Sequence, residues 1–166
     1  MEETPSPKSD ISVHQLPNSW AFWVIQTKYE YEIDPVISFS TIEDFWKYYL
    51  QIPPIQQLKK GGLALFKEDI KPAWEDPNNK GGTRIKIVRK ITKDELDYIV
   101  CAIIGGIIDQ TVTAPLCGLY VLAAKKMKYE LWFGRGSVDP KELAAVLHLK
   151  VQDIKPEPFR NASGKK

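Results

Sequence analysis

Histidine, cysteine and net charge are all scarce in this chain. Its 166 residues include two His and two Cys and carry a formal charge of only +2. His14 and His148 lie in strand-entry and helix-end contexts, and no Glu-rich metal box, Walker loop or His–Cys pairing accompanies them, so a nucleotide-hydrolysing enzyme has no residues to rest on. We expect no catalysis, no cofactor and no metal. Cys101 and Cys117 sit in apolar surroundings without metal-ligand spacing and read as buried thiols of a reducing compartment. The small charge excludes a protein that wraps duplex nucleic acid by its backbone, which needs a larger basic excess; any nucleic-acid contact should be small and local. The longest apolar run, Tyr98 to Ile108, is interrupted by Gly105-Gly106 and is too short to span a bilayer, so no membrane contact is expected. The opening Met1-Glu2-Glu3-Thr4-Pro5 is acidic and polar, unlike a signal peptide. The expected location is the cytoplasm, with the nucleus as a second place.

Against these absences stand 43% hydrophobic and 27% charged residues, the balance of a globular protein with a real core. Residues 1–12 and 160–166 are rich in Glu, Ser, Pro and Lys and read as disordered tails. Residues 13–159 read as one domain.

Trp20 to Ile25 is dense in aromatic and β-branched residues and predicts a buried strand. A short strand follows over Val36–Phe39, and Ser40-Thr41-Ile42-Glu43 reads as a capping box opening a helix that ends near Leu50, before Pro53-Pro54. Leu63–Phe66 predicts a strand. Arg84 to Ile91 predicts a long one, with Ile85 and Ile87 on one face and Arg84, Lys86 and Val88 on the other. Thr92-Lys93-Asp94-Glu95 is a second capping box, after which Leu96, Ile99, Val100, Ile103 and Ile104 fall at helical spacing until Gly105-Gly106. Cys117–Ala124 and Lys128–Phe133 read as strands joined by a basic turn. Asp139-Pro140 starts a third helix, and Val151–Ile154 predicts an edge strand. Hairpin-linked strands with few helices favour an α+β layer: an antiparallel sheet with helices on one face and the other face open.

The most informative stretch is Lys71-Pro72-Ala73-Trp74-Glu75-Asp76. A Trp beside a carboxylate in a Pro- and Asn-rich loop offers a flat π face and a hydrogen-bond acceptor together. That pair suits a planar, NH-rich, positively charged purine. For Trp74 and Trp132 the alternative is core packing, and for Glu75 a solvated loop carboxylate.

Six pieces in order then carry a resemblance. They are His14-Gln15-Leu16 before Trp20-Ala21-Phe22-Trp23; Thr41 to Trp46; Leu65-Phe66-Lys67; Trp74-Glu75-Asp76 with Asn79-Lys80-Gly81-Gly82; Cys117-Gly118; and Trp132. From about His14 to Leu149 the chain resembles the cap-binding translation initiation factor 4E family. The resemblance implies a curved antiparallel sheet with three helices on its convex face and a pocket for the 7-methylguanosine cap of mRNA on its concave face. It implies Trp74 and a second aromatic as a sandwich around the methylated base. Counting from Phe39 and Trp46 puts that second ring at Tyr29, with Tyr31 the near competitor; a Tyr here is similar to the second class of the family. It further implies Glu75 pairing with the guanine edge, Trp132 at the N7-methyl, and cations for the triphosphate. For the cations Lys128 fits by its spacing to Trp132, the family Arg falls on Ala124 with Lys125 or Lys126 beside it, and Arg84 follows Thr83 where a basic residue is usual. Our assignment is Arg84, Lys125 and Lys128; the alternative for each is a merely solvated cation.

The resemblance also implies a helical peptide of a 4G-type scaffold, or of an inhibitory binding protein, docked on Trp46 with Ile42, His14 and Leu96 around it. Trp46 packed in the core is the alternative. Gln15 in place of the usual Pro, and Leu96-Asp97-Tyr98 at the start of the second helix, depart from the family pattern. The function implied is that of an initiation factor bringing capped mRNA to the ribosome; the rival is a cap-binding repressor that engages no scaffold. A general single-strand binder using stacked aromatics is a third reading.

Overall fold

The computed structural model describes residues 13–26, 32–53, 60–123 and 125–158. Tyr29, Tyr31, Ala124 and the expected tails lie outside the described residues. Among the described residues seven strands form one fully antiparallel, curved sheet: β1 (Gln15–Gln26), β2 (Glu32–Thr41), β3 (Gly61–Lys67), β4 (Thr83–Ile87), β5 (Leu116–Ala123), β6 (Met127–Phe133) and β7 (Ile154–Pro158). Their spatial order is β2-β1-β3-β5-β6-β4-β7. The helices are α1 (Ile42–Tyr49), α2 (Lys93–Gly105), α3 (Ile107–Thr111) and α4 (Pro140–Val146).

Strand alternation divides the side chains between two faces. Trp20, Phe22, Leu65, Leu119, Val121, Ile85, Leu131 and Phe133 turn to one face and pack with Phe45, Leu96, Ile99, Ile103, Ile108 and Leu143 of the four helices. The other face carries a smaller cluster, Ile25, Ala64, Phe66, Ile70, Cys117, Tyr120 and Trp132, with no helix of the described residues over it. β1 supplies apolar residues to both faces, which suits a strand paired on both sides, with β2 and β3.

The helix starts show how local chemistry sets boundaries. At α2 the capping box forms as read: the Thr92 hydroxyl accepts from the Glu95 N–H at 3.1 Å, and the Glu95 carboxylate accepts from the Thr92 N–H at 2.8 Å. Burial of Leu96, Ile99 and Ile103 contributes about 1.5–3 kcal/mol each. At α1 the expected box does not form. β2 runs on through Thr41, which pairs with Gln15, so Thr41 rather than Ser40 caps the helix, accepting from the Asp44 N–H at 3.1 Å. The Glu43 carboxylate is drawn instead to His14, accepting from its backbone N–H at 2.8 Å and contacting its ring Nδ1. The His14 interaction holds Glu43 below its usual pKa.

Three further expectations shift. Gly106, at φ 89°, breaks α2 but the chain resumes at once as α3, burying Ile108, so among the described residues four helices rather than three cover the sheet. β4 stops at Ile87 because Arg89 turns aside to pair with Glu95 at 2.7 Å and Asp153 at 3.1 Å. The final strand begins at Ile154, after a 3-10 turn over Val151–Asp153. It is an edge strand, where Pro156 and Pro158 cost no central ladder bonds.

Candidate functional site

The loop between β3 and β4 is tied together from inside by two side chains. Asp76 accepts from the backbone N–H of Lys71 at 2.9 Å and from that of Asn78 at 2.8 Å. Asn79 is fully buried, and its Nδ2 donates to the carbonyls of Lys71 at 2.9 Å and Ala73 at 2.8 Å. Those two carbonyls bracket the approach to Trp74. With the polar groups of the loop turned inward, its apolar ring is turned outward: Trp74 is 40% exposed. Glu75 is exposed beside it, and among the described residues no hydrogen bond or ion pair engages its carboxylate. An indole left 40% exposed at a loop tip is a cost that folding alone does not explain.

Two contacts anchor this loop to the sheet. The Cys117 thiol meets the Asn78 carbonyl at 3.6 Å, and Arg135 Nε donates to the Lys80 carbonyl at 3.3 Å. Burial pushes the Cys117 thiol up to about 12, so it is an inert packing group rather than a nucleophile.

Cys117 belongs to the apolar cluster of the helix-free face, and so does Trp132. Trp132 is 5% exposed. Its ring stacks on Tyr120 at 4.9 Å and 16° and meets Phe66 edge-on at 5.3 Å and 85°. Its Nε1–H donates to Glu130 Oε1 at 2.9 Å. The indole is therefore fixed in place. Gly118 makes this possible: a Cβ there would lie 2.4 Å from the Phe66 ring and 2.5 Å from the Leu65 carbonyl.

Arg84 lies opposite Trp132 in the β4–β6 register. Its guanidinium meets Glu157 at 3.1 Å and Glu130 at 3.8 Å, and Lys86 meets Glu157 at 3.3 Å. Burial pushes Glu157 up, but Lys86 and Arg84 outweigh it and leave the carboxylate below its usual value. The charge of Arg84 is thus shared with two carboxylates. Lys125 and Lys128 are exposed at the opposite end of β6 from Trp132, and among the described residues no carboxylate pairs with either.

On the helical side, Ile42 is 40%, Trp46 37% and Leu50 71% exposed. At four-residue spacing they form one outward stripe, while Phe45 and Tyr49 turn inward. Trp46 touches Phe45 and Tyr49 edge-on at 4.9 and 5.9 Å. His14 clamps the start of this helix, its carbonyl accepting from the Ile42 N–H at 2.9 Å. Leu96 is a correction: it is 2% exposed and lies in the core with Ile99 and Ile103, so it offers no surface. Helix phase turns its neighbours outward instead, with Tyr98 36% exposed and Asp97 accepting from the Tyr49 hydroxyl at 2.6 Å.

The structure thus gathers Trp74 and Glu75 on one loop, puts Trp132 and Arg84 side by side on the helix-free face, and sets Ile42, Trp46 and His14 together on the other. Asp76, Asn79 and Glu130 carry parts that the sequence reading did not give them. Asn79 stood in the motif without a role, and a lone Glu two residues before Trp132 in an apolar strand was the available sign for Glu130. No cluster of three or more metal-ligating side chains occurs among the described residues.

Residues 15–154 match the family described as Eukaryotic initiation factor 4E. The chain is 30% identical to eukaryotic translation initiation factor 4E1 of Drosophila melanogaster over 90% of its own length and 63% of that protein. It is 32% identical to the initiation factor 4E of Aplysia californica over 80% of its length and 67% of that protein. The chain therefore spans somewhat under two thirds of the fly relative. Among solved structures, C. elegans eIF4E-3 in complex with the 4E-binding protein Mextli and a cap analog superposes with a TM-score of 0.76 at 30% identity, covering 92% of this chain and 96% of that one. Ascaris suum eIF4E-3 with m7G cap gives 0.75 at 29% identity, covering 92% and 95%.

Proposed function

The chain belongs to the eukaryotic initiation factor 4E family, and on that footing we propose that it binds the 7-methylguanosine cap of mRNA and delivers capped transcripts to a scaffold protein for translation initiation. The observation that carries this reading is the Trp74-Glu75 pair, projected from a loop that Asp76 and Asn79 brace from within. Solved relatives hold a cap analog and an m7G cap.

N7-methylation gives guanine a formal positive charge. Trp74 takes one face of it and Tyr29 the other, each cation–π contact contributing about 0.5–2 kcal/mol. The Glu75 carboxylate accepts from the N1–H and N2–H edge in a charge-assisted pair, which selects guanine because adenine lacks that donor pair. Trp132 lies toward the methyl group, steadied by Glu130. Lys125 and Lys128 take the triphosphate; Arg84, already shared between Glu130 and Glu157, contributes through the field rather than by a dedicated contact. The site binds and breaks no bond.

The Ile42-Trp46-Leu50 stripe is the seat for an amphipathic helix of a scaffold or inhibitory protein, as a relative is bound by the 4E-binding protein Mextli. A chain that held caps without a partner would have no use for an exposed Trp there. We place the protein in the cytoplasm, with the nucleus a further location; no helix among the described residues is long and apolar enough to cross a membrane.

The test is a tryptophan-fluorescence titration with 7-methyl-GTP against GTP. Quenching by the methylated ligand alone supports the reading, and equal or absent response to both refutes it. Tyr29→Ala should weaken binding more than Tyr31→Ala; the reverse order moves the second ring to Tyr31.

A further inference from the structure

Beyond the end of β4, a cleft of about 870 Å³ opens between the segment leaving that strand and the β5–β6 turn. Its volume is that of a ligand site; an apolar floor that includes Ile87, Ile91 and Met127 is ringed by Lys86, Arg89, Lys90, Lys125, Lys126 and Lys128, with Glu130 the one acid. These cations are not equivalent. Arg89 is committed to Glu95 and Asp153, and Lys86 to Glu157. Lys90, Lys125, Lys126 and Lys128 are exposed, and no carboxylate among the described residues pairs with them. Glu130 is buried and its charge is already met by the Arg84 guanidinium at 3.8 Å, so it does not pair with these lysines.

Four unneutralised ammonium groups facing one concavity, from two segments distant in sequence, repel one another in the empty protein. The arrangement is relieved by a polyanion. Direction then chooses which. Trp132, Glu130 and Lys128 alternate along one face of β6, so that strand leads from the aromatic cluster of the candidate base site to the mouth of the cleft. At a rise of about 3.3 Å per residue, Lys128 lies ~13 Å from Trp132.

We propose that this cleft binds the phosphodiester backbone of the RNA immediately downstream of the cap, with Lys90 and Lys126 as contacts that the cap nucleotide itself does not reach. The proposal rests on the cap-binding reading above. Lys128 and Lys125 take the phosphates next to the base, and Lys90 and Lys126 extend the track without reading base identity.

The test compares 7-methyl-GTP, a short capped oligoribonucleotide and its uncapped counterpart on the full chain at about 50 and 200 mM salt. Each single-strand phosphate contact steepens log K against log salt by about 0.7, so Lys90 and Lys126 together should make the capped RNA steeper than 7-methyl-GTP by about 1.4. Its affinity advantage should accordingly shrink about sevenfold across that salt range. The double variant Lys90→Ala/Lys126→Ala should bind 7-methyl-GTP unchanged and lose the extra affinity and the extra slope.

Equal slopes for the two capped ligands would overturn the proposal, as would a double variant that keeps the difference. So would a variant that weakens 7-methyl-GTP equally, which would assign both lysines to the cap phosphates. Lysine-dependent binding of phosphatidylserine vesicles, without any gain for capped RNA, would make the cleft a membrane site and also overturn it. If the unmodified chain fails to bind 7-methyl-GTP, the cap reading itself fails and the proposal falls with it.

Discussion

Asn79→Asp isolates the device that holds the candidate site. The buried amide donates through Nδ2 to the Lys71 and Ala73 carbonyls at 2.9 and 2.8 Å. Each carbonyl also accepts a backbone bond, from the Ala73 N–H at 2.7 Å and from the Asp76 N–H at 3.0 Å. Removing the amide therefore leaves neither carbonyl orphaned. Asn79→Ala should cost about 1–3 kcal/mol, two modest hydrogen bonds. Asn79→Asp is nearly isosteric but puts an oxygen where the donor was, facing two carbonyl oxygens. Ionised, it is a buried charge with no donor, and it should cost about 3–5 kcal/mol, on the scale of breaking a buried pair. Protonated, it recovers one donor.

The folded variant therefore favours the acid, raising the pKa of residue 79 above its unfolded value. Between the two values the folded state binds more protons, and stability falls as pH rises, by up to about 1.4 kcal/mol per pH unit. The stability deficit should be smaller at pH 4 than at pH 7. The assay is urea denaturation at both pH values, with 7-methyl-GTP titrated at pH 7. An Asp variant as stable as the parent at pH 7, or a deficit indifferent to pH, would refute the reasoning. So would full cap affinity in a folded variant, because Trp74 would then not depend on the brace.

Three shorter predictions follow from other parts of the molecule. Glu75→Gln should keep the fold, since the exposed carboxylate makes no bond among the described residues, and should lose about 1.5–3 kcal/mol of 7-methyl-GTP affinity in a calorimetric titration, the worth of hydrogen bonds to a charged group. Trp46→Ala should leave 7-methyl-GTP binding intact and abolish capture of a scaffold-type helical peptide, checked by parallel pull-downs; loss of cap binding in the folded variant would contradict two separate faces. Gly118→Ala should lower stability by about 1–3 kcal/mol, the range for overpacking, because the added methyl meets Phe66 and the Leu65 carbonyl, and displacement of the rings should show in the near-UV circular dichroism of Trp132.

Legibility in the sequence varied with the range of the causes. The Thr92-Glu95 box and the Asp139-Pro140 start need only groups within one turn, and both formed as read. The α1 start did not, because the carboxylate of Glu43 was claimed by His14, 29 residues away. The end of β4 was likewise set by Asp153 on a distant segment. Leu96 sat at the right place in the motif for a partner contact, yet helix packing rotates it into the core.

By itself the sequence determined the α+β layer, the antiparallel pairing and the family, since alternation, capping and a motif order are local or ordered along one dimension. It also set the Trp74-Glu75 pair apart from the other aromatics. Only the tertiary structure decided which aromatics face water and which cations keep their charge. Trp74 and Trp132 are the same residue type, yet one is 40% exposed and the other 5%, because one lies on a loop braced from within and the other under Tyr120 and Phe66. Arg84 and Lys128 are both cations of the helix-free face, yet carboxylates meet the first and no described carboxylate pairs with the second. Solvation and pairing depend on neighbours brought together by folding, and spacing along the chain does not encode them.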